Sequence, residues 1–206
     1  MANDYVTYEE VTEHLVEVPL DESYQELFEQ LITRASRLID GLLKREPGAF
    51  YVSADTTRYF SGSGDERLWI GEMAAAPTTV SVAETGILTT YTAWAATDYI
   101  CWPYNALLEG MPYMRLDIDS LNGTKSCWYS YPKSVKIIGK FGFSAAVPDE
   151  IKEACIVQIV RWFKRGQQAF QDAGAVMELG QLRYVRKLDP EVETMLSIPK
   201  FHRLTI

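Results

Sequence analysis

Between Gly139 and Lys152 the chain reads, within fourteen residues, as the end of a strand, a bend and the start of a helix. Val135, Ile137, Phe141 and Phe143 alternate as a half-buried strand requires, and Gly139 and Gly142 permit a bulge or the close approach of another backbone. Pro148 then offers a preset φ and no N–H to leave unsatisfied. Asp149 and Glu150 put negative charge on the first turn, where free N–H groups favour it. Whatever precedes this junction is β and whatever follows it is α, so neither an all-helical nor an all-β fold fits.

Upstream, Tyr24, Leu27, Phe28, Leu31, Ile32, Ala35, Leu38, Ile39, Leu42 and Leu43 recur in steps of three and four. The spacing predicts a helix over about 23–46, capped by Asp21 or Ser23 and stopped by Pro47-Gly48. Thr7-Tyr8-Glu9-Glu10 matches a capping box and predicts a short helix reaching about Glu17. After Pro148, the residues Ile151, Ala154, Cys155, Val157, Trp162 and Phe163 predict a helix to Phe170. Asp189-Pro190 opens another short one, after an extended piece from Gln181 to Lys187.

Between the helices, strand-type runs are expected at Thr57–Phe60, Arg67–Ile70, Thr78–Ala83, Ile87–Trp94, Tyr99–Trp102, Tyr113–Ile118, Cys127–Tyr131 and Ser134–Phe141. Ser61–Asp65 and Leu121–Thr124 are expected as hairpin tips, the second as a type I′ turn at Asn122-Gly123. The expected class is α+β: a helical bundle body, with long helices at about 23–46 and 148–170, an inserted antiparallel β subdomain and an extended C-terminal arm. Residues 1–48 then carry the N-terminal helices of the body, 49–146 the insertion, 147–180 the helix completing the body, and 181–206 the arm.

Charge narrows the function. Residues 1–33 contain nine acids and no Lys or Arg, whereas the remainder is nearly balanced, and the formal net charge is -8. Such a chain disfavours sequence-reading DNA contacts, and the bland account of the acidic segment is a solvated helix face. No apolar run approaches the roughly 20 residues that cross a bilayer. The first residues are acidic and polar where a secretory signal is basic and then apolar, so a cytoplasm-like compartment is expected.

The motifs of the chain carry little chemistry. Cys101, Cys127 and Cys155 are odd in number and widely spaced, which suits neither disulfides nor zinc, and all three are expected to be reduced. His14 and His202 lie near opposite ends without ligand spacing. Ser61–Gly64 lacks the Lys-Ser/Thr of a phosphate loop. Asp117 and Asp119 with Gly123 fail the calcium-loop pattern, since its twelfth position falls on Trp128. No nucleophile has a histidine near it in sequence, so no enzyme, cofactor or metal is expected. The aromatic group Trp94, Tyr99, Trp102, Tyr104, Tyr113, Trp128, Tyr129 and Tyr131 reads as the core of the β part, with a small-ligand or carbohydrate platform as the alternative.

The spaced fragments Tyr5-Val6-Thr7, Ala35-Ser36-Arg37-Leu38-Ile39-Asp40, Thr57-Arg58-Tyr59-Phe60, Thr97-Asp98-Tyr99, Pro103-Tyr104-Asn105-Ala106, Pro112-Tyr113, Gly139 to Lys152, and Leu188-Asp189-Pro190-Glu191-Val192 form a pattern along the chain. In that pattern the chain resembles the head-to-tail connector, or adaptor, proteins of tailed bacteriophages. The resemblance implies a structural protein of the virion neck, made in the host cytoplasm. It further implies a ring of about twelve copies around the DNA channel. One surface would meet the portal, the other a stopper or tail-completion (tail-terminator) protein, and double-stranded DNA would pass through without specific binding; no membrane is involved. Portal-contact candidates are then Arg183, Arg186, Lys187, Phe201, His202, Arg203, Leu204 and Ile206, on a C-terminal arm suited to docking at a partner's edge. Glu9, Glu10 and Glu13 are candidates to line the passage, where like charge keeps phosphates from sticking. The segment from Gly86 to Ser130 is longer and more aromatic than that pattern requires.

Overall fold

A computed structural model describes residues 3–15, 24–172 and 188–202, and it divides the chain into two compact units. One unit comprises Met1–Gly48 with Val147–Ile206, the other Ala49–Ala146. The described elements are α+β: four α-helices and two antiparallel sheets.

In the helical unit, α1 spans Tyr8–Thr12, α2 Gln25–Leu42, α3 Asp149–Asp172 and α4 Pro190–Leu196. The capping box at Thr7 and Glu10 forms as the sequence predicts, with both reciprocal bonds present. α1 is shorter than expected, because the chain tightens into i→i−3 turns at His14 and Leu15 and the Leu15 side chain turns inward. α2 also stops early. Lys44 takes the left-handed conformation (φ 55°), its N–H donates to the Gly41 carbonyl, and the Arg45 N–H donates to the Asp40 carbonyl, which together make a Schellman cap. Glycine usually fills that position, so a lysine there left no stop signal before Pro47. The expected cap at Asp21 or Ser23 and the extended piece 181–187 lie outside the described residues.

α2 packs against α3, and α3 against α4. Phe28 meets Phe163 at 4.7 Å between ring centroids, and Phe28, Ile32, Ala35 and Ile39 form the buried stripe of α2. Its C-terminal end is pinned by buried Asp40, which accepts hydrogen bonds from the Tyr5 hydroxyl and, at 3.1 Å, from the Gly48 N–H. Burial raises the Asp40 carboxyl above its usual range, against the pull of Tyr5, Gly48 and the nearby arginines.

In the second unit the strands are β1 Thr56–Phe60, β2 Arg67–Met73, β3 Thr79–Val82, β4 Thr92–Ala93, β5 Tyr99–Trp102, β6 Tyr113–Ile118 and β7 Val135–Gly139. They pair as β1-β7-β3-β4 and as β2-β6-β5. Leu68, Ile70, Leu116 and Ile118 from one sheet share a core with Val80, Val82, Val135 and Ile137 from the other, and Trp94 stacks on Trp128 at 4.8 Å within it. Tyr99, Tyr113 and Tyr129 pack against this core, while Tyr104 and Tyr131 are exposed. The aromatic group is thus only partly core.

Three expectations about strands and turns are corrected. Ile87–Trp94 yields only the short β4, since Gly86 (φ 74°) and a turn from Thr90 to Ile87 occupy its first half. Cys127–Tyr131 forms no strand, because Trp128 exchanges backbone bonds with Gly64 and Asp65 and the Tyr131 N–H folds back to the Tyr129 carbonyl. Ser61–Asp65 and Leu121–Thr124 are not hairpin tips, as each leads from one sheet to the other. At the second, the Asp119 carboxylate accepts the Leu121 and Asn122 N–H groups, so the turn is made by aspartate and Asn122-Gly123 is not type I′. Gly123 serves a different need: a Cβ there would stand 2.7 Å from the Asp98 Cα.

The strand-to-helix junction keeps its two predicted features. At Gly142 (φ 156°) a Cβ would fall 2.4 Å from Val52 Cγ2 and 3.0 Å from the Ala49 carbonyl oxygen, which is the close backbone approach the glycine permits. α3 begins one residue after Pro148, whose carbonyl accepts the Ile151 and Lys152 N–H groups at 3.0 Å.

Candidate assembly surfaces

In the helical unit Glu9 on α1 and Glu13 at its C-cap are exposed, whereas Glu10 faces inward and meets Lys152 Nζ of α3 at 2.6 Å. Partial burial works against the Glu10 charge, yet the hydrogen bond from Lys152 and that from the Thr7 N–H hold its carboxyl below the usual value. Of the three acids proposed to line a passage, two have no side-chain partner among the described residues and one is used to hold α1 on α3.

The C-terminal segment folds back on its own unit. Phe201 is completely buried, and Arg45 Nε donates to its carbonyl at 2.6 Å. His202 is exposed and its Nε2 donates to the Leu196 carbonyl at 3.0 Å. Lys200 pairs with Glu150 at 3.0 Å, and Arg161 bridges to Asp189, the N-cap of α4. Glu150 is held below the usual carboxylate range first by its own N–H at the start of α3 and then by Lys200. Arg183, Arg186, Lys187, Arg203, Leu204 and Ile206 lie outside the described residues.

The β unit presents a different surface. Register aligns Trp69, Arg115 and Trp102 across the outer face of β2-β6-β5, with the guanidinium 5.3 Å from one indole and 4.3 Å from the other. The rings stand 75° apart, and Asp117 takes two hydrogen bonds from the same arginine at 2.6 and 2.8 Å. That arrangement is self-satisfied and makes no flat platform for a sugar ring. At the edges of the unit, Tyr104, Leu107 and Leu108 stand out from the turn between β5 and β6, and Leu121 from the Asp119 turn. Sequence reading missed these leucines because periodicity carries no information inside turns.

Two carboxylates brace this unit, buried Asp98 and half-buried Glu84. Asp98 accepts from the Thr124 N–H at 2.9 Å and the Ala95 N–H at 2.9 Å, and its carboxyl is lowered chiefly by the first. Glu84 is lowered by Lys125, 2.6 Å away, and then by the indole N–H of Trp94.

With this geometry the chain was compared with known proteins. Neither a family model nor a curated protein matches it. Its fold, however, is found in a virion neck. A chain from the neck of the empty gene transfer agent particle, computed with C6 symmetry, superposes with a TM-score of 0.56 at 12% identity, over 100% of this chain and 97% of that one. A chain from the neck of the native particle, computed with C12 symmetry, gives 0.51 at 12% identity over the same shares. A chain from the virion of the native gene transfer agent gives 0.52 at 15% identity, over 98% of this chain and 91% of that one. The fold is therefore shared across both units and not just one of them.

The polar groups offer little chemistry. All three cysteines are free; burial pushes the Cys101 thiol up to about 11 and the Cys155 thiol up to about 12, so both are protonated and poor nucleophiles at neutral pH. Among the described residues no group of three or more His, Cys, Asp or Glu is placed to hold a metal ion, and no helix is long and apolar enough to cross a membrane.

Proposed function

We propose that this protein is a structural subunit of the neck of a tailed-phage-like particle, a head-to-tail connector that assembles as a ring between the portal and the stopper or tail-completion proteins, with the genome passing through its centre. The observation that carries the reading is the superposition of the whole chain on nearly the whole of a neck chain, at a TM-score of 0.56. The six- and twelvefold symmetry of the related necks suits a ring of identical copies. The role is mechanical and involves no catalysis.

Within this reading the surfaces take separate roles. Exposed Glu9 on α1 and Glu13 at its C-cap line the passage and repel DNA phosphates, while Glu10 is held by Lys152. The C-terminal arm meets the portal. Because Phe201 is spent inside its own unit, that contact falls to His202 and to Arg203, Leu204 and Ile206 beyond it, with Arg183, Arg186 and Lys187 upstream. The test is co-purification of the full chain with a portal protein, followed by imaging of the complex. Rings on the portal vertex, lost when residues 203–206 are removed from a chain that still folds, are the expected result. Unchanged portal binding by the truncated chain would move the contact elsewhere.

A further inference from the structure

We infer that neighbouring copies join head to tail through their β units, the turn between β5 and β6 of one copy seating on the opposite end of the β unit of the next. This rests on the ring reading above and names the surface that makes the ring. The turn is built, not loose. The Ala106 N–H donates to the Pro103 carbonyl at 3.1 Å, Leu108 to Asn105 at 3.0 Å and Met111 to Ala106 at 2.8 Å, and the Ala106 side chain is fully buried as an anchor. Yet Leu108 is 89% exposed and Leu107 51%. A braced turn that holds two adjacent leucines in water serves nothing inside its own copy, and marks a surface covered in an assembly.

A second apolar pole lies at the other end of the strands. β6 runs from the turn to Ile118, and after it the Asp119 turn carries Leu121, 93% exposed. Lys125 ties the following segment to Glu84 at 2.6 Å, in the loop that bears exposed Ile87, and Tyr91 of that loop donates to the Lys133 carbonyl at 2.8 Å. Six residues of strand put the two poles roughly 20 Å apart. A cyclic ring requires this: its contact is heterologous, made from two different patches at different places on one subunit, whereas a closed dimer uses one patch twice. Charge agrees with the pairing. Glu109 on the turn and Lys133 at the far end are both exposed, of opposite sign, and neither side chain has an ion-pair partner among the described residues.

The test uses the full chain in sedimentation and mass measurements over a range of concentrations. Leu107→Ser with Leu108→Ser, and separately Ile87→Ser with Leu121→Ser, should each weaken self-association at least tenfold with the melting temperature unchanged. Mixing the two variants should give heterodimers and nothing larger, since each supplies only one working half. Glu109→Lys and Lys133→Glu should each weaken association, and the double swap should restore it. Rings formed by either leucine variant at wild-type concentrations would overturn the inference and leave the ring reading standing. A wild-type chain that stays monomeric to its solubility limit would overturn the inference, while the ring reading is decided by imaging on the portal. Wild-type association that stops at a closed dimer, lost in only one of the two variants, would show an isologous contact and overturn the inference as well.

Discussion

The two units treat their surfaces in opposite ways. In the helical unit polar side chains tie the elements to one another: Lys152 to Glu10, Lys200 to Glu150, Arg161 to Asp189, and Arg45 to the Phe201 carbonyl. Among the described residues thirteen large apolar side chains are exposed, of which only Leu27 and Leu42 belong to that unit; the other eleven, Leu108 and Leu121 foremost, lie in the β unit. Among the described residues, then, the helical unit satisfies itself and the β unit is left unfinished. The contrast separates stability, which depends on internal closure, from association, which depends on what remains open.

The sharpest break of that contrast is Phe201→Ala. Truncating a fully buried phenylalanine costs about 3–5 kcal/mol, and here the loss falls wholly on the helical unit. Four of the five tryptophans (Trp69, Trp94, Trp102 and Trp128) lie in the β unit, so their fluorescence and the helical circular dichroism report on different halves. The helical signal should melt earlier and the fluorescence transition should move less. Coincident early transitions would mean that the units unfold as one.

Next in size is Asp98→Ala in the β unit. Removing the carboxylate strands the Thr124 and Ala95 N–H groups at a cost of about 1–3 kcal/mol. A pH arm checks the sign. The Asp98 carboxyl is held below the ordinary aspartate value of 3.8 when folded, so the unfolded chain binds the proton more readily. Its contribution is complete above that value and is lost as pH falls through the lower, folded one. Asp98→Asn should flatten the loss of urea resistance over that range. Asp40 in the helical unit has the opposite sign: its carboxyl is raised by burial, so protonation relieves the folded state first as pH falls. Asp40→Asn should therefore leave the acid decline of wild type no shallower. A flattening equal to that of Asp98→Asn would contradict the assignment.

How far these features were legible in the sequence follows from what kind of signal each carried. The capping box at Thr7, the start of α3 after Pro148 and the strands β5 and β6 were readable because local chemistry and periodicity decide them. The Schellman cap was not, because Lys44 stands where glycine is customary and tertiary bonds from Asp40 to Tyr5 and Gly48 hold the end in place. The supposed hairpin at Asn122-Gly123 failed for a related reason: the dipeptide suits a type I′ turn, but Asp119 and the close approach of Asp98 decide its conformation. Of the candidate surface residues, Glu9 and Glu13 were readable as exposed acids on a helix. That Glu10 is spent on Lys152, 142 residues away in sequence, was not.

A smaller effect is expected from Thr7→Ala, which removes the side-chain acceptor of the capping box. It should cost about 1 kcal/mol, and the loss should appear in the helical signal alone. The reciprocal bond from the Thr7 N–H to Glu10 stays possible, so the helix is weakened and not abolished. A shift as large as that of Phe201→Ala would mean that α1 is the keystone of its unit.

The smallest effect should come from Lys152→Met, and its size tests whether polar ties or burial close the helical unit. Both partners of the pair are about one-third exposed, so solvent screens it and the loss should be about 0.2–1 kcal/mol. Glu10 would keep its bond from the Thr7 N–H, and its carboxyl would rise from its lowered position toward the ordinary range as the Lys152 contribution disappears. Val11 and Leu15 remain buried in either case, so α1 should stay docked, with amide exchange in residues 8–12 faster by no more than several-fold. Exchange as fast as in an unfolded peptide would mean that the ion pair holds α1. In that event the helical unit would be closed by charge, and its resistance to acid would collapse as Glu10 protonates.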